Sequence, residues 1–388
     1  MRVSLLTREY PPEVYGGAGV HVTHLVSQLA KLVDVEVQCF GAPRDAARVR
    51  ACQPWPAIPS DRAGDAALQA MSVDLVMAAG CRGADVVHSH TWYANLGGHL
   101  GGLLHGIPHV MTAHSLEPLR PWKREQLGGG YELSLFCERT AMHGASAIIA
   151  VSAGMRADIL ATYPAVDPDR VVVIHNGIDT DAWQPTPDAG TLARLGIDPD
   201  RPVVAFVGRI TRQKGVEHAL AAADLIDPVA QVVLCAGAPD TPEIGEEMRG
   251  LAAAVTARRG GVVWIEEMLS RPELSQILTA ASVFLCPSVY EPFGLTNLEA
   301  MACETAVVAS AVGGIPEIVV EDVTGHLVPY VTEPAEFAAA LAGRVNALLA
   351  DPTRAAAMGR AGRLRAVEAF GWPAVAARTV MLYETLVT

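Results

Sequence analysis

Two carboxylates, Glu291 and Glu299, stand eight positions apart in YEPFGLTNLEAMAC (Tyr290 to Cys303), on either side of a Pro and a Gly. Pro292 and Gly294 keep Glu291 off a regular helix and leave it on a loop. Thr296, followed three positions later by Glu299, matches a capping box. Two readings stay open for each acid: a structural part in starting a helix, or a carboxylate held out to the hydroxyls of a ligand. VGRITRQKGVEH raises the same choice for cations. Arg209, Arg212 and Lys214 follow an apolar run and precede a helical pattern, and a strand exit at a helix start is where phosphate binds. Arg grips phosphate oxygens bidentately and Lys adds a point charge. A solvated charge run is the alternative. A GxxxxGK[ST] loop is absent at this position.

Three further stretches carry candidates. EYPPEVYGGAGVHV offers Gly16, Gly17 and Gly19, which suit a turn whose backbone N–H groups approach an anion; a ligand-free turn is the alternative. Val22 stands where GxGxxG would need its third Gly, so dinucleotide binding is rejected. His90 and His114 close the apolar runs of DVVHSH and PHVMTAH, and His114 is the better candidate for chemistry, against a satisfied buried His. Arg120, Lys123 and Arg124 gather in an otherwise acidic chain, either for a phosphate or on an exposed helix face. Trp264 to Met268, after VVWI, is placed to border a nucleobase.

The elements that must position these residues read as α/β. Short β-branched runs (VSLL, VEVQCF, DVVHSH, PHVMTAH, SAIIAVS, VVVIHNG) alternate with amphipathic stretches. The pattern restarts after about residue 185 with PVVAFVG, QVVLCAG, VVWIE, VFLCPS, AVVAS and GHLVPY. Such alternation argues for parallel sheets covered by helices, and two series argue for two Rossmann-like domains. The joint is expected in NGIDTDAWQPTPDAG, residues 176 to 190. Trp372, Val375, Ala376, Thr379 and Tyr383 form one helical stripe near the C-terminus. Ligands of parallel sheets bind beyond the carboxyl ends of the strands, where the candidate loops lie.

Bulk properties narrow the partners. The chain has 388 residues, 51% hydrophobic and 18% charged, with a net charge of -13. That length favours two cores. The charge argues against nucleic acid and against an anionic membrane surface. No apolar run reaches the roughly 18 residues of a membrane span, and MRVSLLTREYPP reads as a first strand rather than a leader, so a cytoplasmic address is expected. The seven Cys lack CxxC spacing and are expected as reduced structural thiols. No metal spacing appears among the His.

In order, GGAGVH, HSHTWY, TAHSLEPLRPWKREQLGGGYE, NGID, GRITRQKG, PSVYEPFGLTNLEA and GGIPEIV resemble the motifs of the retaining glycosyltransferases of family 4 type with the GT-B fold. Within them the chain is similar to the short bacterial glycogen synthases, the α-maltose-1-phosphate synthases included. The resemblance implies two Rossmann-like domains whose parallel sheets face a central cleft: 1–177 with a returning helix at 372–388, and 178–371. It implies transfer of glucose from ADP-glucose to glucose 1-phosphate, or to an α-1,4-glucan, with retention and without a metal or other cofactor. Catalysis would fall to His114, Glu291, Arg209 and Lys214. The donor would meet Gly16, Gly17, Asn176, Gly294, Leu295, Thr296, Glu299 and Met268. The acceptor would meet Glu9, Tyr93, Arg120, Lys123 and Arg124. Departures from the larger glycogen synthases are Val14 in place of the Lys of KxGGL, Thr91-Trp92-Tyr93 in place of Asp-Trp-His, and Ser115 in place of Asn. They point away from a long glucan and toward a phosphorylated acceptor. Rival readings are a hexosyltransferase with another donor or a lipid acceptor, a sugar-nucleotide epimerase or hydrolase, and a non-catalytic binding protein. Oligomeric state stays open.

Overall fold

The computed structural model describes every residue except Tyr15, Ser60, Ala63, Ala238 and Thr388. Two compact units divide the chain: Met1–Gly177 with Trp372–Thr388, and Ile178–Gly371.

The first unit is built on a seven-stranded parallel sheet in the order β3-β2-β1-β4-β5-β6-β7. Its strands are β1 (Arg2–Thr7), β2 (Asp34–Phe40), β3 (Val49–Cys52), β4 (Val86–His90), β5 (His109–Ala113), β6 (Ala147–Ala150) and β7 (Val171–Val173). Successive strand residues point to opposite faces, and both faces are buried. Leu5 packs with Val22, Leu25 and Leu29 of the helix Gly17–Leu29 and with Trp372, Val375 and Tyr383 of the helix Trp372–Val387. Leu6 packs on the other face with Val73, Met77 and Ala94. The final helix buries the stripe Trp372, Val375, Ala376, Thr379 and Tyr383. The Tyr383 hydroxyl meets His88 Nδ1 at 2.6 Å inside this core.

The second unit is a six-stranded parallel sheet, β10-β9-β8-β11-β12-β13, made of β8 (Val203–Arg209), β9 (Gln231–Gly237), β10 (Val262–Ile265), β11 (Val283–Cys286), β12 (Ala306–Ser310) and β13 (Gly325–Val328). One large apolar core, with Val204, Leu220, Leu234, Leu285, Val308 and Phe337, fills the space beside it. The seven cysteines are all buried and unbridged.

β3 is the strand that the sequence pattern did not announce. Its residues, VRAC, include a charged Arg50 and show the burial of an edge, with only Cys52 fully inside. Pairing with β2, not side-chain pattern, makes it a strand. Elsewhere the register decides what meets at the sheet edge. Leu6 lies opposite Ser89, and His90 opposite Thr112. Arg8, Thr91 and His114 therefore emerge together at the carboxyl ends of β1, β4 and β5.

Truncating Tyr383 to Ala opens a core cavity and strips buried His88 of a partner. It should cost about 3–5 kcal/mol, read as a lower urea midpoint for the transition of the first unit; an unshifted midpoint would mean that the last helix is not part of that core.

Candidate active site

In the second unit, β8 ends at Arg209 and the chain makes a three-residue turn, Arg212–Lys214, capped by Thr211, whose hydroxyl accepts the Lys214 N–H at 3.2 Å. Gly215 follows at φ +63 and starts the helix Val216–Ala223. A Cβ here would stand 2.2 Å from the Pro287 carbonyl, so the turn packs against the chain leaving β11. That close approach brings Lys214 Nζ to 2.7 Å from Glu291 Oε2. Ser288 Oγ also donates to the same carboxylate oxygen at 3.3 Å. Burial works against the Lys214 ammonium, but Glu291 outweighs it and the pKa stands above its ordinary value. Arg209 pairs with Asp240 at 3.0 Å. Arg212 is spent on the surface, donating to both oxygens of Glu247 at 3.1 and 2.6 Å.

Glu291 is fixed from behind as well. Gly314 N–H donates to its carbonyl at 2.9 Å, and a Cβ on Gly313, φ +53, would lie 1.9 Å from that oxygen. This is the local work of GGIPEIV, which the sequence showed only as a motif. Glu299 corrects an expectation. The helix is Leu295–Ala302, with Gly294 at φ +112 as its cap, so Thr296 is already inside it and no capping box forms. Glu299 lies beyond the first turn, half-buried, and burial pushes its pKa up to about 7, with Lys214 and Arg271 opposing. Asn297, fully buried with both ends of its amide unpaired among the described residues, belongs to the same turn and had no sequence signal. Leu295 and Thr296 are half-buried. Met268 is 82% exposed.

In the first unit, Gly16 precedes the helix Gly17–Leu29, and its N–H is already engaged by Glu9 Oε2 at 2.7 Å. A Cβ on Gly19 would come within 2.6 Å of that same oxygen. The Gly-rich turn thus holds the chain's own carboxylate over the helix N-terminus, and an incoming anion must displace Glu9 to use Gly16. Gly17 is exposed.

His114 sits among imidazoles. Its Nε2 lies 3.0 Å from His90 Nδ1, and the His21 ring meets it edge-on with centroids 4.7 Å apart. Burial drives His90 and His114 well below the ordinary value and His21 down to about 4. These rings are therefore neutral at pH 7 and available to exchange hydrogen bonds. One ring nitrogen from each lies within 4.8 Å of the others, a convergence of three elements that spacing along the chain did not disclose. Asn176 is buried and faces His21. Asn176 acts on His21 through its side chain, while His90 Nε2, Thr91 Oγ1 and Trp372 Nε1 are buried without a hydrogen-bond partner among the described residues. Proteins pair nearly all such groups, so this concentration marks the surface that a polar ligand would satisfy. Thr91 adds strain, with φ 64 and ψ 159, a region essentially reserved for Gly.

The cations expected to act together at residues 120 to 124 divide. Arg120 is turned inward, its side chain 13% exposed, on Glu117. Lys123 is buried with Nζ on Gln126. Arg124 is exposed, pairs with Glu132 at 2.7 Å and lies over Tyr131. The three do not form one patch, because Arg120 precedes the short helix Lys123–Leu127 and its side chain turns back toward β5. Tyr93 stacks on Trp92 with centroids 3.9 Å apart.

Known proteins share this plan. Residues 15–182 match Glycosyltransferase Family 4, and residues 191–365 match Glycosyl transferases group 1. The chain is 59% identical to the alpha-maltose-1-phosphate synthase of Mycolicibacterium smegmatis, over 99% of each chain. It is 56% identical to the enzyme of that name from Mycobacterium tuberculosis, also over 99% of each. Among solved structures, the sucrose-phosphate synthase of Thermosynechococcus elongatus superposes with a TM-score of 0.78 at 27% identity, over 99% of this chain and 98% of that one.

Thr91→Gly should relieve the backbone strain and remove an unpaired hydroxyl. We expect stability to hold or rise by about 1 kcal/mol in urea unfolding while turnover falls. A clear loss of stability would show that Thr91 is a packing residue and not a strained site residue.

Proposed function

Because this chain belongs to the family 4 glycosyltransferases with the GT-B fold, in the group of the α-maltose-1-phosphate synthases, we propose that it transfers glucose from ADP-glucose to glucose 1-phosphate, giving α-maltose 1-phosphate with an α-1,4 bond. The observation that carries this reading is near full-length likeness to two such synthases, joined to a site in which Lys214, Glu291 and Arg209 stand at the strand ends of one sheet.

Each residue has a chemical task in this reading. The bond from the anomeric carbon to the diphosphate breaks, the acceptor O4 bonds to that carbon, and the O4 proton passes to the departing diphosphate on the same face. Negative charge grows on the diphosphate as positive charge grows on the sugar, and fixed cations are worth most at that point. Lys214 and Arg209 supply them, with the backbone of Gly294, Leu295 and Thr296 at a helix start, so the reaction calls on no metal. Lys214 and Glu291 neutralise each other before substrate arrives. A bound diphosphate gives Lys214 a second anion, and Glu291 is then left to accept from hexose hydroxyls. Glu291 holds the sugar and is not assigned a nucleophile's part; a double displacement needs a carboxylate beside the anomeric carbon. Neutral His114 gives a hydrogen bond to the hexose near its 6-hydroxyl, Glu299 takes the ribose hydroxyls, and Asn176 and Met268 border the donor. Glu9 and Tyr93 stand on the acceptor's side of the first unit.

The protein is mixed with ADP-glucose and either glucose 1-phosphate or glycogen, and products are weighed by mass spectrometry. A disaccharide phosphate formed much faster than glycogen grows supports the reading; extension of glycogen alone overturns it in favour of a glycogen synthase. Lys214→Ala should lower turnover by about 10²–10³-fold with the circular dichroism spectrum unchanged.

The pH profile gives an independent check. Ribose hydroxyls donate to an ionised Glu299, and this acid titrates near 7. Donor KM should therefore fall as pH rises from 6 to 8, by at most about tenfold per unit below the pKa. Glu299→Gln should flatten that slope; a slope that survives the substitution would assign the titration to another group.

A further inference from the structure

Arg8 follows β1 directly, and no motif gives it a role. Its guanidinium carbon lies over the Tyr93 ring, 4.0 Å from the centroid, and Tyr93 is itself braced on Trp92. Burial raises the Tyr93 phenol above its ordinary pKa; Arg8 and Arg120 pull it down, and Glu117 pushes it further up. Arg8 thus touches the ring, and Arg120 and Glu117, which follow β5, act on the same phenol electrostatically. Arg8 forms no ion pair among the described residues.

Arg120 is held from one side. Its Nη1 donates to Ser115 Oγ at 3.1 Å and to Glu117 Oε1 at 3.2 Å. Its Nε is buried with no partner among the described residues. In arginine, Nε and Nη2 form the side-on fork that grips two oxygens of a phosphate. Glu117 is fixed at every polar group. Its N–H donates to both oxygens of Glu138, at 3.0 and 3.1 Å. Its carbonyl accepts from Tyr131 at 2.7 Å, and its carboxylate accepts from Ser134 at 3.0 Å. Glu138 accepts in turn from the Tyr163 hydroxyl at 2.6 Å. Two acids buried side by side are costly. What this arrangement accomplishes is to orient one arginine and leave one edge of it unused.

We propose that Arg8 and Arg120 form a clamp for the phosphate monoester of the acceptor, with Glu117 as the positioning residue that aims Arg120 and Glu138 as the anchor of Glu117. The inference rests on the phosphorylated-acceptor reading above. Charge favours it: Glu117 balances part of Arg120, and Arg8 is left for a dianion. The uncharged end of a glucan has no use for either guanidinium, so the clamp is a device of acceptor choice. Arg124, paired and exposed, has no part in it.

The test holds ADP-glucose saturating and varies glucose 1-phosphate, with glucose as the acceptor that lacks only the phosphate. Arg8→Gln and Arg120→Gln should each raise KM for glucose 1-phosphate about 10-fold or more, leave the KM for ADP-glucose unchanged, and shrink the preference for glucose 1-phosphate over glucose by a similar factor. Glu117→Gln should raise the same KM with little effect on kcat, a split that a general loosening of the fold would not produce. Should Glu117→Gln fail to fold, Ser115→Ala removes the other contact to Arg120 and should move the same constant in the same direction. Wild-type acceptor KM in either arginine variant overturns the clamp. A wild-type protein that leaves glucose 1-phosphate untouched overturns the reading beneath it, and the two failures are told apart in one experiment.

Discussion

The pairing of Lys214 with Glu291 is the interaction on which the second unit's site depends. One residue leaves β8 and the other lies beyond β11, and they meet at 2.7 Å only because Gly215 allows the first turn to touch the Pro287 carbonyl. A pair this largely buried, with the Lys214 side chain 20% and the Glu291 side chain 8% exposed, gains little net stability, since desolvation offsets much of the attraction. Its worth is positional. The Gly313-Gly314 backbone holds the Glu291 main chain, and Lys214 and Ser288 hold its carboxylate. Lys214 has an anion to stand against and keeps its charge despite burial. In the proposed reaction the cation that would meet the diphosphate is thus kept charged and in place beforehand, and rearrangement at the reacting step is small.

The first unit follows the opposite rule. The polar groups around its imidazole cluster are kept neutral and partly unpaired. Burial holds the His21, His90 and His114 rings uncharged, and His90 Nε2, Thr91 Oγ1 and Trp372 Nε1 lack partners among the described residues. Each such atom costs about 1–3 kcal/mol if nothing meets it. A surface of this kind is expensive to keep dry and selective once a ligand of matching hydrogen-bond pattern arrives. The strained Thr91 belongs with it, as does the rigid support behind it: His88 locked between Tyr383 and Thr112 at 2.6 and 2.7 Å. The last helix of the chain therefore reaches the site by a buried hydrogen bond as well as by covering a sheet face.

Much of this was legible in the sequence, and the misses have a common cause. Twelve strands announced themselves as apolar runs because both faces of a parallel sheet are buried; β3 did not, because an edge strand with Arg50 pairs without being buried. The stripe Trp372, Val375, Ala376, Thr379 and Tyr383 was readable at helical spacing and is the face that packs inward. Loops at strand ends pointed to Glu291, Lys214, Arg209 and His114. Local pattern misled at Thr296, where Gly294 had already started the helix, and at residues 120 to 124, where three cations adjacent in sequence face different ways. What sequence could not disclose is contact between distant segments: Gly313 against Glu291, Glu9 over Gly16, Arg8 on Tyr93, and His21 among its partners. No spacing rule encodes those, because the sheet register sets them.

The position of Glu9 shows how the charge balance of the first unit has shifted. Larger glycogen synthases carry a lysine where this chain has Val14, half-exposed and apolar. The helix N-terminus at Gly16 still offers a positive end, and Glu9 already occupies it at 2.7 Å. A glycine-rich turn is commonly read as a site for phosphate, yet here an internal carboxylate meets the same N–H group and the same partial charge. Any anion bound there must first displace Glu9. Arg44 holds the loop before Val14 through the Tyr10 and Pro11 carbonyls and Glu13, Arg8 lies over the Tyr93 ring, and Arg120 stands beyond β5 on Ser115 and Glu117. A lysine in the glycine turn and a pair of arginines serve different geometries: a point charge suits a diphosphate lying along a helix start, whereas planar forks suit the compact three-oxygen face of a monoester.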